Sequence, residues 1–269
     1  MSEFDEIYSL RKGEVLRCVR PPFLPERLEL YRRTRQSQAS AIPAGPEAMM
    51  LRWNAGDVLE PLGHARLSIW SMHFGSSETV PALVEKLLDI YPQEVEGDAE
   101  LLDRRLPGDF VYRPGVDEGL YLAALGKILE EEIGGRVNFA FRQVERSVIV
   151  LRGDWKFSPV DEVARERRSV EIYESKMNSN RNQGGGGTGS EKKFAGWLGR
   201  YVGQQVVVEG KGLPGKLTWR YHDEERRLTG RKHPVAELVL RRIEEQAGLI
   251  GTIETREVRR LFVERGGFR

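Results

Sequence analysis

The sequence predicts an α+β fold of small repeated modules, each a short sheet covered on one face by a helix. Residues 127–153 and 241–266 align with one internal slip: each reads as a helix that ends in glycine, an extended segment, and an apolar strand that closes on Arg-Gly. The order helix, strand, strand recurs at residues 117–152, 190–222 and 234–265. A supersecondary unit used more than once is typical of small modules rather than of one catalytic domain.

The length and composition are those of a globular chain with two or more modules. The chain has 269 residues, of which 39% are hydrophobic and 31% are charged, so it can bury a core. Its 42 basic and 41 acidic side chains give a net charge of +1. This balance argues against a duplex nucleic-acid binder, which needs a basic face. The single cysteine, Cys18, excludes an intramolecular disulfide.

The first half of the chain is predicted to alternate between helices and strands. Apolar residues at helical spacing predict short helices at residues 14–19 and 24–33, separated by the Pro21–Pro22 break. Alternation between residues 49 and 72 predicts a hairpin with a long loop. The further elements are a helix that begins at Thr79, a strand within 106–115, a helix from Asp117 to Gly134, and strands at 137–142 and 147–152.

The second half is predicted to hold a linker between two α+β parts. Residues 176–189 have no apolar pattern and predict a flexible linker. Gly184–Gly189 satisfies the dinucleotide pattern G-x-G-x-x-G, but no predicted strand runs directly into it, so we interpret it as linker. The elements around it are strands at 154–160 and 169–174, a helix capped by Ser190, strands at 205–209 and 216–222, a helix at 235–247, and two closing strands.

Three domains follow from this pattern. We expect an N-terminal α+β part at residues 1–160 and a C-terminal α+β part, made of two helix–strand–strand modules, at residues 190–269. Between them, residues 161–189 are expected to form a strand followed by the glycine-rich linker.

No motif for a metal, a cofactor or a catalytic nucleophile is visible. The histidines lack the HExxH spacing and a cysteine partner, so the sequence predicts no metal site and no cofactor. The G-x-S-x-G turn of serine hydrolases is absent too. We therefore predict no catalytic residues, although an enzyme is not excluded. The four histidines are His64, His73, His222 and His233.

Two alternatives to a simple interaction module remain open. His222 ends a predicted strand beside Asp223, where a carboxylate could orient an imidazole. An enzyme or small-ligand binder would then use a groove between modules, with Trp219, His222 and Asp223 at its rim. Single-stranded nucleic acid binding would need exposed aromatic residues flanked by basic ones, as in the run Trp219–Arg220–Tyr221.

Several short sequence motifs, spread over nearly the whole chain, resemble those of a known group of proteins. They are EVLRCVRPPFLPER, LRWN, LPGDFVYRPG, KILEEEIG, VERSVIVLRGDWKFSPV, SVEIYE, FAGWLGRYVGQQVV, LTWRYHD and EVRRLFVERG. With them the chain resembles a soil-associated bacterial family of domains of unknown function. Its helix–strand–strand units are similar to the short N-terminal domain of secretins and TonB-dependent receptors.

The resemblance implies modules that bind partner proteins or neighbouring subunits and do no chemistry. Members of the group often look like extracytoplasmic tails of larger proteins, some fused to BlaR-type metallopeptidase sensors. No residue here matches that peptidase, so its activity is not carried over. The sequence also shows no secretory signal and no stretch of the ~20 apolar residues that a membrane span needs. We expect a cytoplasmic location for the chain as written and an extracytoplasmic one for a fragment of a longer member.

The expected function is a non-catalytic protein-interaction or assembly module. Exposed sheet edges at residues 206–209 or 258–264 are expected to pair with a strand of a partner protein, because an uncapped edge offers unpaired backbone groups. Arginines near the second edge would guard it or steer an acidic partner. The residues expected to bind the partner are Val206, Val208, Arg256, Arg259, Arg260 and Phe262.

Overall fold

The computed structural model describes residues 3–27, 48–52, 68–73, 78–177 and 184–266. The chain divides into two units, each of which combines helices with small sheets. The predicted α+β class is therefore confirmed. Unit 1 comprises Met1–Leu88, Glu96–Phe141 and Leu261–Arg269, and unit 2 comprises Asp89–Val95 and Arg142–Arg260.

This division differs from the boundaries expected at residues 160 and 190. Residues 142–189 belong to unit 2, and the C-terminal residues 261–269 belong to unit 1. Contacts between segments that are distant in sequence decide both assignments, and no change of composition along the chain marks them.

Helices and mostly short strands follow one another in the described part of the chain, which also contains one 3₁₀ turn at Pro92–Glu94. The described helices are α1 (Glu3–Tyr8), α2 (Val80–Leu88), α3 (Ala99–Leu102), α4 (Glu118–Ile133), α5 (Glu162–Arg167), α6 (Glu191–Val202), α7 (Glu224–Thr229) and α8 (Ala236–Ala247). The described strands are β1 (Leu16–Val19), β2 (Ala48–Arg52), β3 (Ser68–His73), β4 (Glu78–Thr79), β5 (Val95–Gly97), β6 (Arg105–Leu106), β7 (Asp109–Tyr112), β8 (Val137–Arg152), β9 (Ser169–Ile172), β10 (Gly184–Gly189), β11 (Val206–Val208), β12 (Leu217–His222) and β13 (Ile250–Arg265).

Unit 1 contains a four-stranded sheet in the order β1–β7–β2–β3. Strand β7 is its buried centre, antiparallel to β1 and parallel to β2, and β2 pairs with β3 as an antiparallel neighbour. The helix predicted at residues 14–19 is wrong, because Leu16–Val19 pairs along β7 instead. So short a helix is marginal alone, and sheet pairing overrides its propensity. The helix predicted at 24–33 lies mostly outside the described residues.

Helix α4 confirms the prediction made from its end residues. The Asp117 carboxylate accepts a hydrogen bond from the N–H of Gly119 at 2.8 Å, and Gly134 ends the helix with a φ of 69°. Both are local signals, since a side-chain cap and a left-handed glycine satisfy the free backbone groups at helix ends. Its buried face consists of Tyr121, Leu122, Leu125, Gly126, Ile128 and Leu129.

Each of the two aligned segments folds as a helix followed by a single strand. Strands β8 and β13 each contain 16 residues, where the sequence predicted two strands and a turn. Residues 137–152 contain no glycine or proline that could end a strand. The preceding helices end alike, because Gly134 and Gly248 are both left-handed, with φ of 69° and 70°.

The two helix–strand pairs also form grooves at matching positions. The groove along α4 and the start of β8 has a volume of about 730 Å³, and that along α8 and the start of β13 has about 370 Å³. The second set of lining residues lies 114 positions after the first, as Glu237 does after Ala123. The matching residues are Ala123 and Glu237, Gly126 and Leu240, Lys127 and Arg241, Glu130 and Glu244, Val137 and Gly251, and Phe139 and Ile253.

Unit 2 is built around a three-stranded sheet in the order β10–β12–β9. Strand β12 is antiparallel to β10 and parallel to β9. Helices α6 and α8 bury their apolar faces against this unit's core, and both of their sequences were predicted as helices. The buried core includes Ile149, Leu151, Val170, Ile172, Phe194, Leu198, Leu217, Trp219, Val239, Ile243 and Leu249.

The glycine-rich segment Gly184–Gly189 is a strand, so its prediction as a flexible linker is wrong. Gly185 pairs with Tyr221 and Gly187 pairs with Trp219. A Cβ atom at Gly187 would lie 2.7 Å from the Trp219 ring, and one at Gly185 would lie 2.5 Å from the Tyr221 ring. The two rings occupy the space that side chains would otherwise fill, which stabilises a strand that has almost no side chains of its own. Residues 178–183 lie outside the described residues.

Candidate functional site

Strand β11 forms one edge of the sheet β11–β8–β13–β5 and runs parallel to β8. The N–H of Glu209 donates to the carbonyl of Leu151 at 2.8 Å, and the carbonyl of Gln205 accepts a hydrogen bond from β8 at 2.9 Å. Alternate residues of a parallel strand bond to the same neighbour. The backbone groups of Val206 and Val208 therefore face away from β8.

The side chains of this edge strand are anchored although its outer backbone is not paired with another described strand. Val206 is buried in the core of unit 2, and Val208 packs against that core from a half-buried position. Val207 faces the other side of the sheet and packs with buried Val148 and Val150. The first expected edge, at residues 206–209, is therefore present as an edge of three residues.

The second expected edge, at residues 258–264, is wrong. Strand β13 lies between β8 and β5 in the sheet, so it is an inner strand. On the β5 side, the N–H of Asp98 donates to the carbonyl of Val263 at 2.9 Å. Arg260 is buried, Arg259 is exposed and Phe262 is half-buried. These residues lie on an inner strand and do not frame an open edge.

Arg256 belongs to a four-membered ion network next to β11. Arg152 bonds to Glu209 at 3.0 Å and to Glu254, and Arg256 bonds to the same two carboxylates. Hydrogen bonds, chiefly from Arg152, lower the pKa of Glu254 to about 2. The pKa of Glu209 is also lowered, mainly by Arg256. Arg256 is thus neutralised by close carboxylates, and its charge does little to steer an acidic partner.

The three residues predicted at the rim of a groove are buried instead. Trp219 and His222 lie on β12, Asp223 follows it, and each is almost completely inaccessible to solvent. The indole of Trp219 packs edge-on against Phe194, with the ring centroids 5.6 Å apart. Spacing along the chain identified these residues as neighbours, but the packing of α6 over the sheet removes them from the surface.

A buried carboxylate holds the imidazole of His222. Its Nε2 lies 2.7 Å from Oε2 of Glu171, and Oγ of Ser169 donates to the other oxygen of Glu171 at 2.7 Å. The Gln246 amide donates to the backbone carbonyl of Glu171 at 2.7 Å and accepts from its N–H at 2.9 Å. In this part of the described structure, serine and imidazole contact the carboxylate rather than each other. That is not the geometry of a serine activated by a base.

Sequence reasoning did not identify a pocket on unit 2 that combines aromatic rings with basic side chains. The pocket has a volume of about 330 Å³. Trp197 and Tyr201 reach it from α6, one helical turn apart, and Tyr221 reaches it from β12. Helical spacing alone could have paired the first two residues. The basic side chains that line the pocket are Arg200, Arg226, Lys232 and His233.

Among the described residues, no group of three or more His, Cys, Asp or Glu side chains is placed to hold a metal ion. None of the described helices has the length and apolar content needed to cross a membrane. No family model, curated protein or solved structure matches this chain. The resemblance to the soil-associated family therefore stays a prediction, and any functional argument depends on the geometry itself.

Proposed function

We propose that the chain is a non-catalytic interaction module that binds an extended segment of a partner protein along the outer edge of β11. The observation that supports this proposal is the orientation of Val206 and Val208. Their backbone N–H and C=O groups face away from β8, while their side chains pack against the core of unit 2. A fixed strand whose outer side is not paired with another described strand is a template for an added strand.

The surroundings of His222 favour binding over catalysis. Both oxygens of the Glu171 carboxylate are engaged by Ser169 and His222, and the whole network is buried. A general base must reach a proton of the substrate, and this imidazole has no solvent-facing approach. The network therefore serves the fold of unit 2.

The proposed pairing can be tested by selecting peptides from a randomised display library against the whole chain. Selected peptides should bind wild type and the Val208→Thr variant similarly, because threonine keeps the backbone N–H and the shape of valine. Val208→Pro removes that N–H and leaves the bond between Glu209 and Leu151 intact, so binding should fall by about tenfold or more.

Amide hydrogen exchange supplies the location and the control. A bound peptide should slow exchange at Val206 and Val208, and both variants should keep the urea midpoint of a folded chain. Peptides that protect another segment, or that bind Val208→Pro as well as wild type, would rule out the edge of β11. If no peptide is selected, the proposal also fails.

A further inference from the structure

The aromatic part of the unit 2 pocket is a pre-formed cluster of three rings. The ring centroids of Trp197 and Tyr201 lie 5.3 Å apart and those of Trp197 and Tyr221 lie 5.2 Å apart, while Tyr201 and Tyr221 are separated by 5.4 Å. Tyr201 is buried, whereas Trp197 and Tyr221 are half-buried. Rings that support one another in this way lose little conformational freedom when a flat ligand stacks on them.

The other side of the pocket is basic, and none of the described residues that line it is a carboxylate. Lys232 is exposed, and Arg226 is held in place because its Nη2 donates to Asp223 at 2.7 Å and its Nη1 donates to the carbonyl of Lys232 at 3.3 Å. Nε of the same guanidinium is buried without a hydrogen-bond partner among the described residues. A buried donor of this kind is stabilised by an acceptor oxygen.

These two halves select the charge and shape of the ligand. Clustered aromatic rings alone would suit a quaternary ammonium group, but the exposed ammonium group of Lys232 would repel a cation. A simple anion would satisfy the basic side chains and leave the rings unused. A ligand that fits both halves carries a planar ring and a negative group.

We infer that this pocket binds a nucleoside phosphate, with the base stacked on Trp197 and Tyr221 and the phosphate beside Arg226 and Lys232. The volume of about 330 Å³ lies at the lower end of the range for ligand pockets. This size suits one nucleotide, either free or as a unit of a single strand. The site is separate from the edge of β11, and each can fail without the other.

Isothermal titration of the whole chain at low salt tests the inference with four probes. They are adenosine monophosphate, a short single-stranded oligothymidylate, adenosine, and inorganic pyrophosphate. Each of the last two lacks one half of the ligand and should bind about tenfold or more weakly than the complete nucleotide. Comparable affinity for the first two indicates a free nucleotide, and much tighter binding of the oligonucleotide indicates a strand.

Two substitutions and one matched control assign the binding to this pocket. Trp197→Leu should reduce binding by about tenfold because a stacking surface is lost. Lys232→Glu should reduce it severalfold, whereas Arg227→Glu makes the same charge change at an exposed position outside the pocket and should have little effect. Lys232 is exposed, so its variant also tests the inference if the tryptophan variant does not fold.

Three results would overturn the inference. The first is no binding of either nucleotide probe. The second is pyrophosphate binding as tight as nucleotide binding, which would make the site an anion site only. The third is an equal loss in Lys232→Glu and Arg227→Glu, which would indicate attraction by the whole surface rather than by this pocket.

Discussion

Glu171 and His222 lie on the neighbouring strands β9 and β12 with 2.7 Å between carboxylate and imidazole, and neither side chain is more than 2% exposed. Ser169 also donates to the carboxylate of Glu171, and the Gln246 amide donates to its backbone carbonyl. The pair links two strands inside the core, where water cannot replace a lost partner. Its role is therefore to hold β9 and β12 together, and the first prediction concerns its strength.

Replacement of one partner of this pair should strongly destabilise the chain. His222→Leu leaves a buried carboxylate with too few partners, and Glu171→Leu leaves an imidazole with none, so each should lower the free energy of unfolding by about 3–5 kcal/mol. The double variant buries two apolar side chains, so its loss of unfolding free energy should be smaller than the sum of the two single losses. Urea denaturation of the wild type, both single variants and the double variant measures the coupling energy between the two side chains. Strict additivity would show that the two groups do not depend on each other.

The glycine at position 187 should be sensitive to a single methyl group. Gly187→Ala places a Cβ atom 2.7 Å from the Trp219 ring, and overpacking of this kind costs about 1–3 kcal/mol. The matched control is Gly215→Ala, where no atom lies within 4 Å. Thermal unfolding should show a lower melting temperature for the first variant only. Equal effects would mean that the ring does not occupy the space beside β10.

The two left-handed glycines at the ends of α4 and α8 should differ in cost. Gly134→Ala meets no other atom, so it carries only the left-handed strain of about 1–2 kcal/mol. Gly248→Ala has the same φ and in addition places its Cβ atom 2.8 Å from the carbonyl oxygen of Asp154. We expect Gly248→Ala to be the more destabilising variant in urea. The reverse order would contradict the close approach of these two backbone segments.

The ion network beside β11 should stabilise the fold at neutral pH and lose this contribution in acid. The pKa of Glu254 is lowered to about 2, while an unfolded glutamate titrates near ~4.3. A lowered folded pKa favours folding above the unfolded value, and that contribution disappears as the pH falls from about 4.3 to about 2. Because the Glu254 side chain is partly exposed to solvent, salt weakens the effect.

A carboxyl NMR titration measures this shift directly. Arg152→Gln removes the main donor to Glu254 and should raise the pKa of that carboxyl toward its ordinary value. Arg167→Gln removes one exposed arginine outside the network and should leave the titration unchanged. If Glu254 titrates normally in wild type, the bonds from Arg152 do not persist in solution.

The sequence predicted correctly those helices whose first and last residues are capping residues. Asp117 and Gly134 determine where α4 begins and ends, and both can be identified from the sequence. The short strand β1 could not be predicted, because its conformation depends on pairing with β7 about ninety positions later. The continuity of β8 was missed although residues 137–152 contain no glycine or proline, because the run Arg142–Gln143–Val144 is compatible with a turn and with an extended strand.

The candidate sites depend even more on distant contacts. The sequence located Val206 and Val208 on a strand, but only the sheet order distinguishes the edge strand β11 from the inner strand β13. His222 was selected for its neighbour Asp223, whereas its actual partner, Glu171, is 51 positions away. The aromatic–basic pocket needs α6, β12 and the segment around Lys232 to meet, and no spacing along the chain predicts that.

Strand β10 is under a steric constraint that its amino-acid composition does not show. Gly185 and Gly187 make no attractive side-chain contact of their own, yet the rings opposite them exclude even a methyl group. The segment would be expected to tolerate substitution if judged by its composition. Glycine is required at these two positions because any larger side chain would overlap the ring opposite it. A substitution there should therefore destabilise the fold more than a substitution at many exposed charged positions of the same chain.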